Sequence, residues 1–425
     1  MRKHGTITAV GFTLILSICI QISGVYAGGL WVYETGSPDA GLANAGIAAR
    51  AQDASTAYNN PAGMSLLVKS EILFGLQALY GDLEFNPDGQ TSASGCSGGN
   101  SIGLIPGGSF AYVNRINETW SFGVSNFSNF GLGLDYHDNW VGRYYVQEAT
   151  LIGLTVMPSV SYRVDEQLSL GLGLNAMYGI LDSDVAINNI TDGMQDGLLE
   201  YEDTTWGFGV VPGIMYELDK QTRFGVTYTS PIDLDFEDNP QFSNLGPSLG
   251  WLLNRADVRS LDLGMTVPQT LMGSFYHELN EKWALLGNVG WQDWSEFGKV
   301  DIDVDANNDH HISKTADYKD TWSTGLGTQY KFAPTWTAST GISYDSEMLD
   351  EEDVTPTMPV AAAWRWGIGL QHDLSIATTI SVNYELIYSG DVEMDQQRGP
   401  LSGRVAGEYE DVMLHVINGS LSHRF

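Results

Sequence analysis

The sequence predicts an all-β fold, a 14-stranded antiparallel transmembrane β-barrel plugged by an N-terminal segment that we call the hatch. Three observations support this prediction. The N-terminus has the composition of an export signal. Apolar residues then alternate with polar or small residues over runs of about ten positions bounded by aromatics. Finally, short and long connections between these runs take turns along the chain, as they do in outer-membrane barrels.

Residues 1–27 read as a secretory signal peptide. Arg2 and Lys3 precede the apolar run 9–20, and small residues lead to Ala27. The run is shorter than the roughly 18 residues that a spanning helix needs. Without this segment, 18 basic residues face 52 acidic ones, a formal charge of −34. That balance argues against nucleic acid as a partner, and Cys96, the one remaining cysteine, excludes an intramolecular disulfide.

Residues 28–64 are unusually rich in small side chains, as in GLANAGIAARAQDASTAYN, and end in an Asn-Pro-Ala turn. The segment has too few large apolar side chains to form a core of its own. A barrel of about 14 strands would leak if it were empty. We therefore expect this segment to fill the barrel, with Pro61 setting the exit because proline cannot donate to a strand ladder.

Residues 65–425 carry the barrel pattern. In TWSTGLGTQYKF, Trp322, Leu326 and Tyr330 share one face, and Ser323, Gly325 and similar residues share the other. The apolar set predicts a lipid-facing band with aromatic girdles, and the small set predicts the lumen. A soluble sandwich also alternates, but seldom sustains such long strands.

Connections of alternating length complete the pattern. Short turns are predicted at 116–118, 165–167, 219–221, 280–282, 333–334 and 372–375. Long extracellular loops are predicted at 81–106, 128–153, 181–203, 231–267, 295–319, 346–360 and 390–410. The segments between them number about 14, and the chain closes on Phe425 at the end of the last alternating run.

With these features in hand, the chain resembles the FadL/TodX family of outer-membrane transporters for long-chain fatty acids and hydrocarbons. The best markers are the hatch sequence through Met64, WGFGVVPGIMYELDKQTRFGVTYTSPIDLDF and VPQTLMGSFYHELNEKWALLGNVGWQDWSEF. The resemblance implies a hatch-closed barrel that passes ligand sideways through its wall into the membrane. It also implies a gating region in the hatch, which we assign to Leu30, Asn60, Pro61 and Ala62. The alternative for Asn60–Ala62 is a simple turn into the first strand.

Two long loops carry exposed apolar residues that predict ligand capture. Loop 231–267 holds Leu245, Leu249, Trp251, Leu252 and Leu253, and loop 181–203 holds Met194, Leu198 and Leu199. The family resemblance assigns capture to these two loops. The alternative is that these side chains only pack on one another as a cap.

Two arginines are candidates for contacting the head group of a fatty acid. By strand parity, Arg163 and Arg365 face the lumen, where an unpaired cation is costly. One alternative is pairing with internal carboxylates such as Glu217 or Glu385. If neither arginine binds ligand, the hydrocarbon branch of the family is favoured.

No catalytic or metal site is predicted. GPSLG at 246–250 matches a nucleophile elbow, but it lies in a long loop rather than at a strand-to-helix turn. DVDANNDHH at 303–311 departs from a calcium loop because position six is Asn308 and position twelve is Lys314. Its acidic residues leave open a loose hold on divalent cations beside lipopolysaccharide.

The expected function is therefore uptake of hydrophobic small molecules through the outer membrane of a Gram-negative bacterium, without cofactors or catalysis. The competing classes are an outer-membrane barrel enzyme, an adhesin and a diffusion porin. Expected partners are the hydrophobic ligand, outer-membrane lipids and lipopolysaccharide, and the barrel assembly machinery. The protein is expected to be a monomer.

Overall fold

The computed structural model describes residues 30–189, 193–256, 260–297, 299–305, 310–315 and 318–425. The predicted signal peptide, the first two hatch residues and part of the acidic run 303–311 lie outside the described residues. No helix among the described residues is long and apolar enough to cross a bilayer.

Within the described residues, fourteen antiparallel strands form one closed barrel. Its closure is the pairing of the first and last strands, from Glu71 opposite Arg424 to Asp82 opposite Met413. The predicted strand number is thus confirmed. The strands are β1 (Glu71–Asp82), β2 (Gly103–Arg115), β3 (Trp120–Asp135), β4 (Glu148–Arg163), β5 (Leu168–Ile187), β6 (Gly197–Glu217), β7 (Thr222–Thr229), β8 (Thr270–Glu278), β9 (Trp283–Gln292), β10 (Thr321–Ala333), β11 (Trp336–Asp345), β12 (Ala363–Asp373), β13 (Thr378–Gln397) and β14 (Arg404–Arg424).

All six predicted short turns connect consecutive strands, from β2–β3 to β12–β13. The predicted loops are too long at several places, because β5, β6, β13 and β14 have 20 or 21 residues each. A strand needs only about 9–11 residues to cross the bilayer. These four strands therefore project beyond the membrane, and much of what the sequence suggested as loop is paired strand.

The predicted faces are present in the barrel. Along β12, Trp364, Trp366 and Ile368 are exposed, whereas Arg365 between them is buried toward the lumen. Aromatic pairs bound the outer band at both ends, as lipid interfaces require. At the end of the short turns they include Trp120–Tyr162, Trp283–Tyr330, Trp336–His372 and Tyr112–Phe425, and at the other end Tyr178–Trp206 and Tyr344–Trp364.

The long connections carry further structure on the extracellular side. A four-stranded sheet forms from Ile232–Asp238, Ser260–Val267, Lys299–Asp305 and His310–Thr315. Its buried face, which includes Phe236 and Leu263, belongs to the large apolar cluster of the extracellular half. The remaining elements are strands Phe85–Pro87 and Gln241–Ser243, helices Pro247–Ala256, Trp294–Phe297 and Gly399–Ser402, and the 3-10 turn Glu351–Asp353.

The chain from Leu30 to Leu67 lies inside the barrel, consistent with a hatch. It contains the 3-10 helix Pro38–Leu42, the single helical turn Thr56–Asn59 and the 3-10 helix Pro61–Leu66. Contacts of these short helices reach strands on opposite sides of the barrel, β11 to β13 on one side and β3 to β6 on the other. The hatch therefore spans the lumen.

Candidate ligand pathway

The hatch backbone packs directly against glycines of the barrel wall. Gly327, Gly341 and Gly367 sit opposite one another on β10, β11 and β12. A Cβ on Gly341 would lie closer than 3.0 Å to the carbonyl oxygen of Leu42, and one on Gly367 would meet the backbone of Ala40 in the same way. Real Cβ atoms do not show such contacts, so close packing requires small residues on both surfaces.

The Asn-Pro-Ala turn is tied to the hatch and the wall at once. The side-chain amide of Asn60 donates to the carbonyl oxygens of Ala48 at 2.8 Å and of Ile214 on β6 at 3.0 Å. Its oxygen accepts from the backbone N–H of Ala62, which caps the 3-10 helix that begins at Pro61. Asn60 therefore links three separate backbone segments, whereas a simple turn residue would contact its own segment alone.

A buried charge network orders the middle of the hatch. The Arg50 guanidinium pairs with Asp39 at 2.5 Å and with Asp53 at 2.7 Å. Asn59 donates to Asp39 at 2.9 Å. Because both carboxylates are engaged by one cation, the segment holds its shape without an apolar core.

A second buried charge network joins the hatch to the wall. Arg365 on β12 pairs with Glu34 of the hatch and with Asp345 of β11 at 2.6 Å, and Glu385 of β13 lies 3.7 Å away. Asn44 donates to Glu34 at 3.2 Å. Arg365 thus joins the hatch to the barrel wall. A head-group role for it stays a prediction, and it would require these ion pairs to open.

Arg163 is also paired, but at the opposite end of the barrel. It contacts Glu217 at 2.7 Å and donates to the carbonyl of Glu166 in the short turn at 2.9 Å. Pairing with internal carboxylates, left open by the sequence, is therefore present at both arginines. Arg163 stands at the rim of the short turns, and a head-group role for it stays a prediction.

The barrel wall is interrupted between β2 and β3. These strands pair only from Phe110 opposite Asn126 to Arg115 opposite Ser121. Residues 103–109 of β2 pair with β1 instead, and residues 127–135 of β3 pair with β4. A register shift lies between Ser128 and Phe130, and bulges of this kind re-aim a strand. We call this interruption the wall opening.

The start of the hatch lies at the wall opening. The N–H of Val32 donates to the carbonyl of Asn129 at 2.9 Å, and the N–H of Gly131 donates to the carbonyl of Leu30 at 3.0 Å. Leu30 and Trp31 are buried there. The hatch therefore occupies the edge of β3 that β2 leaves unpaired, and Leu30 is placed at this junction.

Two cavities flank the hatch. A cavity of about 70 Å³ lies beside Trp31, Tyr33, Phe127, Met272 and Trp291, between the start of the hatch and the wall. The other, of about 330 Å³, lies toward the short turns. It is lined by polar and charged groups, among them Gln52, Asp53, Glu278, Lys282, Lys331, Gln371, Asp373 and Arg424.

The two predicted capture loops contact one another. Asn189 accepts from the N–H of Gly246 at 2.9 Å and donates to the carbonyl of Asn244 at 2.9 Å. Strand Gln241–Ser243 pairs with residues 198–200 of β6. Leu198 and Leu199 are thus strand residues, which corrects their assignment to a loop. Of the eight predicted side chains, Trp251 and Met194 are exposed, Leu249 and Leu199 are buried, and Leu245, Leu252, Leu253 and Leu198 are intermediate.

Two sequence motifs remain to be placed, GPSLG at 246–250 and the acidic run 303–311. GPSLG lies at the start of helix Pro247–Ala256, after the short antiparallel strand Gln241–Ser243 and a bend, rather than in a parallel α/β sheet. No group of histidine, cysteine and carboxylate residues that could hold a metal ion is found in the described part of the chain.

The chain is similar to known proteins over most of its length. Residues 19–420 match the model of a family described as outer membrane protein transport protein (OMPP1/FadL/TodX). The chain belongs to this family. It is 25% identical over 412 residues to a long-chain fatty acid transport protein of Salmonella typhi, covering 90% of this chain and 92% of that one.

Solved structures show the same fold. A FadL homologue from Pseudomonas aeruginosa superimposes with a TM-score of 0.84 at 19% identity, covering 93% of this chain and 100% of that one. The toluene transporter TodX from P. putida gives a TM-score of 0.69 at 16% identity, covering 93% and 99%. This member of the family is an outer-membrane β-barrel that transports hydrophobic compounds, and it is a channel rather than an enzyme.

Sequence reasoning missed the wall opening. A signal was present in GLIPGGS at 103–109, because Pro106 and three glycines are typical of a strand that lacks a partner on one side. Because this stretch lacks the alternation seen elsewhere in the barrel, the predicted loop 81–106 was extended into it, although β2 begins at Gly103.

Proposed function

We propose that this protein takes up long-chain fatty acids, captures them with its extracellular loops and releases them sideways through the wall opening into the membrane. The observation that carries the proposal is the unpaired stretch of β2 and β3 with the start of the hatch bound to its edge. A closed, fully paired wall would offer a hydrophobic ligand no lateral exit.

The polarity of the cavity toward the short turns supports release sideways through the wall rather than release past the short turns. An alkyl chain gains about 0.8 kcal/mol for each methylene that leaves water. The cavity toward the short turns is lined by charged groups of both signs and would return the chain to a polar environment. The wall opening leads instead to the acyl chains of the bilayer, so the gain is kept.

Capture is assigned to the exposed part of the loop cluster. Trp251 and Met194 present apolar surface on two segments that Asn189 holds together. Exposed apolar groups on an otherwise acidic surface favour adsorption of hydrophobic ligands. Leu249 and Leu199 are buried in one apolar cluster of the extracellular half.

The ligand class rests on relatives. The protein of Salmonella typhi is named for long-chain fatty acids, which favours an acid. Uptake of hydrocarbons is the second candidate, favoured by the similarity to the toluene transporter fold and by the ion pairs that engage Arg163 and Arg365.

The test compares two glycines of β3. Gly131 adopts a φ of +150°, and a Cβ there would approach the Leu151 carbonyl at 2.7 Å, whereas a Cβ on Gly133 meets nothing closer than 3.9 Å. Gly131→Val should force the strand out of its bent path and lower palmitate entry into cells several-fold. Gly133→Val should transport normally.

Uptake of radiolabelled palmitate, hexadecane and sucrose is measured in cells that lack other hydrophobic uptake proteins. Heat-dependent mobility on gels confirms folding of both variants. Normal palmitate uptake by a folded Gly131→Val protein contradicts lateral release. Wild-type uptake of hexadecane without palmitate selects the hydrocarbon candidate.

A further inference from the structure

The buried charge network between the hatch and the wall contains more acid than base. Glu34, Asp345 and Glu385 lie around the guanidinium of Arg365, and each of these side chains is at most 5% exposed. With all three carboxylates ionised, three negative charges would face one positive charge out of water. Burying a charge without a partner is costly, so a network of this composition favours one neutral carboxyl group.

Two of the three carboxylates share the same donors. Nη1 of Arg365 contacts Oε1 of Glu34 and lies 3.7 Å from Oε1 of Glu385. Nδ2 of Asn44 likewise lies 3.2 Å from Oε1 of Glu34 and 3.5 Å from Oε1 of Glu385. The two Oε1 atoms are therefore close neighbours. Two ionised carboxylates so placed repel one another, whereas a carboxyl and a carboxylate that share one proton do not.

The hydrogen-bond pattern indicates that Glu385 is the neutral member. Its Oε2 is enclosed and has no hydrogen-bond partner within the described residues, and the same holds for Oδ1 of Asn44. An ionised carboxylate can only accept, so in that form both oxygens lack a donor. Asp345 and Glu34, by contrast, each accept directly from Arg365, Asp345 at 2.6 Å. A proton on Glu385 would supply the missing donor.

The elements packed around Glu385 do not offset the excess acid. The ionisable groups that they contribute to this network are Tyr33 and Glu34 of the hatch, Asp345 of β11 and Arg365 of β12. Asp39, on the hatch helix that also packs on β13, is paired with Arg50. On β14, the apolar Val416 lies opposite Glu385. Arg365 is therefore the cation that these described elements supply to the three carboxylates.

We propose that Glu385 is a proton-binding site that couples hatch docking to pH, being neutral while the hatch is docked and ionised when the hatch is displaced. Glu34 and Asn44 belong to the hatch, so its displacement takes them away from Glu385 and admits water. A hydrated glutamate is ionised at neutral pH. Docking therefore binds a proton. Acid stabilises the docked hatch, and rising pH weakens the docking equilibrium by up to about tenfold for each pH unit.

The test follows ion leak through the purified full-length protein in planar bilayers at pH 6 and pH 8. Wild type should conduct at least about fivefold more often at pH 8, because the displaced hatch releases a proton. Glu385→Gln has a neutral side chain of nearly the same shape at both pH values, so its frequency should change by less than about twofold. The matched control is Glu217→Gln, because Glu217 pairs with Arg163 at the half-exposed rim at 2.7 Å. It should keep the pH dependence of wild type.

Infrared spectra of the carboxyl carbonyl stretch give a second readout. At pH 7, wild type should show a protonated carboxyl band that exchanges slowly in D₂O, because Glu385 is fully enclosed, and Glu385→Gln should lack it. Equal pH dependence of the leak in wild type and Glu385→Gln, or a wild-type leak that ignores pH, overturns the site. If Glu385→Gln loses its heat-dependent mobility and so is not folded, the wild-type spectrum decides, since absence of the slowly exchanging band overturns the site and its presence supports it. Lateral release of ligand stands in either case, because the site acts on the hatch alone.

Discussion

The packing of the hatch against wall glycines leads to a sharp prediction for Gly341→Ala. A Cβ at this position would lie closer than 3.0 Å to the Leu42 carbonyl oxygen and to the Leu42 carbonyl carbon. The obstacle is backbone rather than a flexible side-chain end. The 3-10 helix Pro38–Leu42 must therefore retreat by about 1 Å or more to recover van der Waals contact.

The expected cost follows from the closeness of this fit. Adding one methyl group to a packed interior costs about 1–3 kcal/mol. If the barrel itself is unaffected, this cost falls on hatch docking, and the fraction of molecules with a displaced hatch rises about 5- to 150-fold, which is what 1–3 kcal/mol amounts to. The substitution displaces the hatch without touching the ligand, because it changes only the contact between the hatch and the barrel wall.

Planar-bilayer recordings measure the predicted leak directly. Gly341→Ala should show ion-conducting events far more often than wild type. Gly273→Ala is the matched control, since a Cβ there meets nothing closer than 3.9 Å. Equal conductance of wild type and both variants would refute the view that hatch and wall are packed to contact at Gly341.

Two further predictions concern the ties of the hatch. Replacing both Asn60 and Pro61 by Ala should lower palmitate uptake, while the barrel still shows heat-dependent mobility on gels. The reason is that about 1–3 kcal/mol is lost when buried carbonyls lose their donor. Full uptake would mean that the turn is merely structural. Arg365→Met leaves buried carboxylates uncompensated and should lower the free energy of unfolding in detergent by about 3–5 kcal/mol. Arg163→Met, at the half-exposed rim, should cost about 1 kcal/mol or less, and equal costs in guanidinium titrations would contradict this account.

Strand number and facing were predictable because they are local properties. A period of two assigns Trp364 and Trp366 to lipid and Arg365 to the lumen whatever the rest of the chain does. The short turns were predictable for the same reason, since they join strands that are neighbours in sequence. The extent of β5, β6, β13 and β14 was not predictable, because polar strands outside the membrane have the composition of loops.

The sequence alone did not predict which groups the charged residues contact. Parity put Arg365 in the lumen, but its contact with Glu34 depends on the path of the hatch across the barrel, 331 positions away in the chain.

The sequence alone therefore determined an exported barrel of about fourteen strands, a plug of small residues and the family to which they belong. These follow from periodicity and composition, which every segment carries in itself. Only the tertiary structure decided where the wall opens and which residues fasten the hatch. Each of these depends on registers and contacts between segments distant in the chain, and such contacts exist only once the barrel has closed around the hatch.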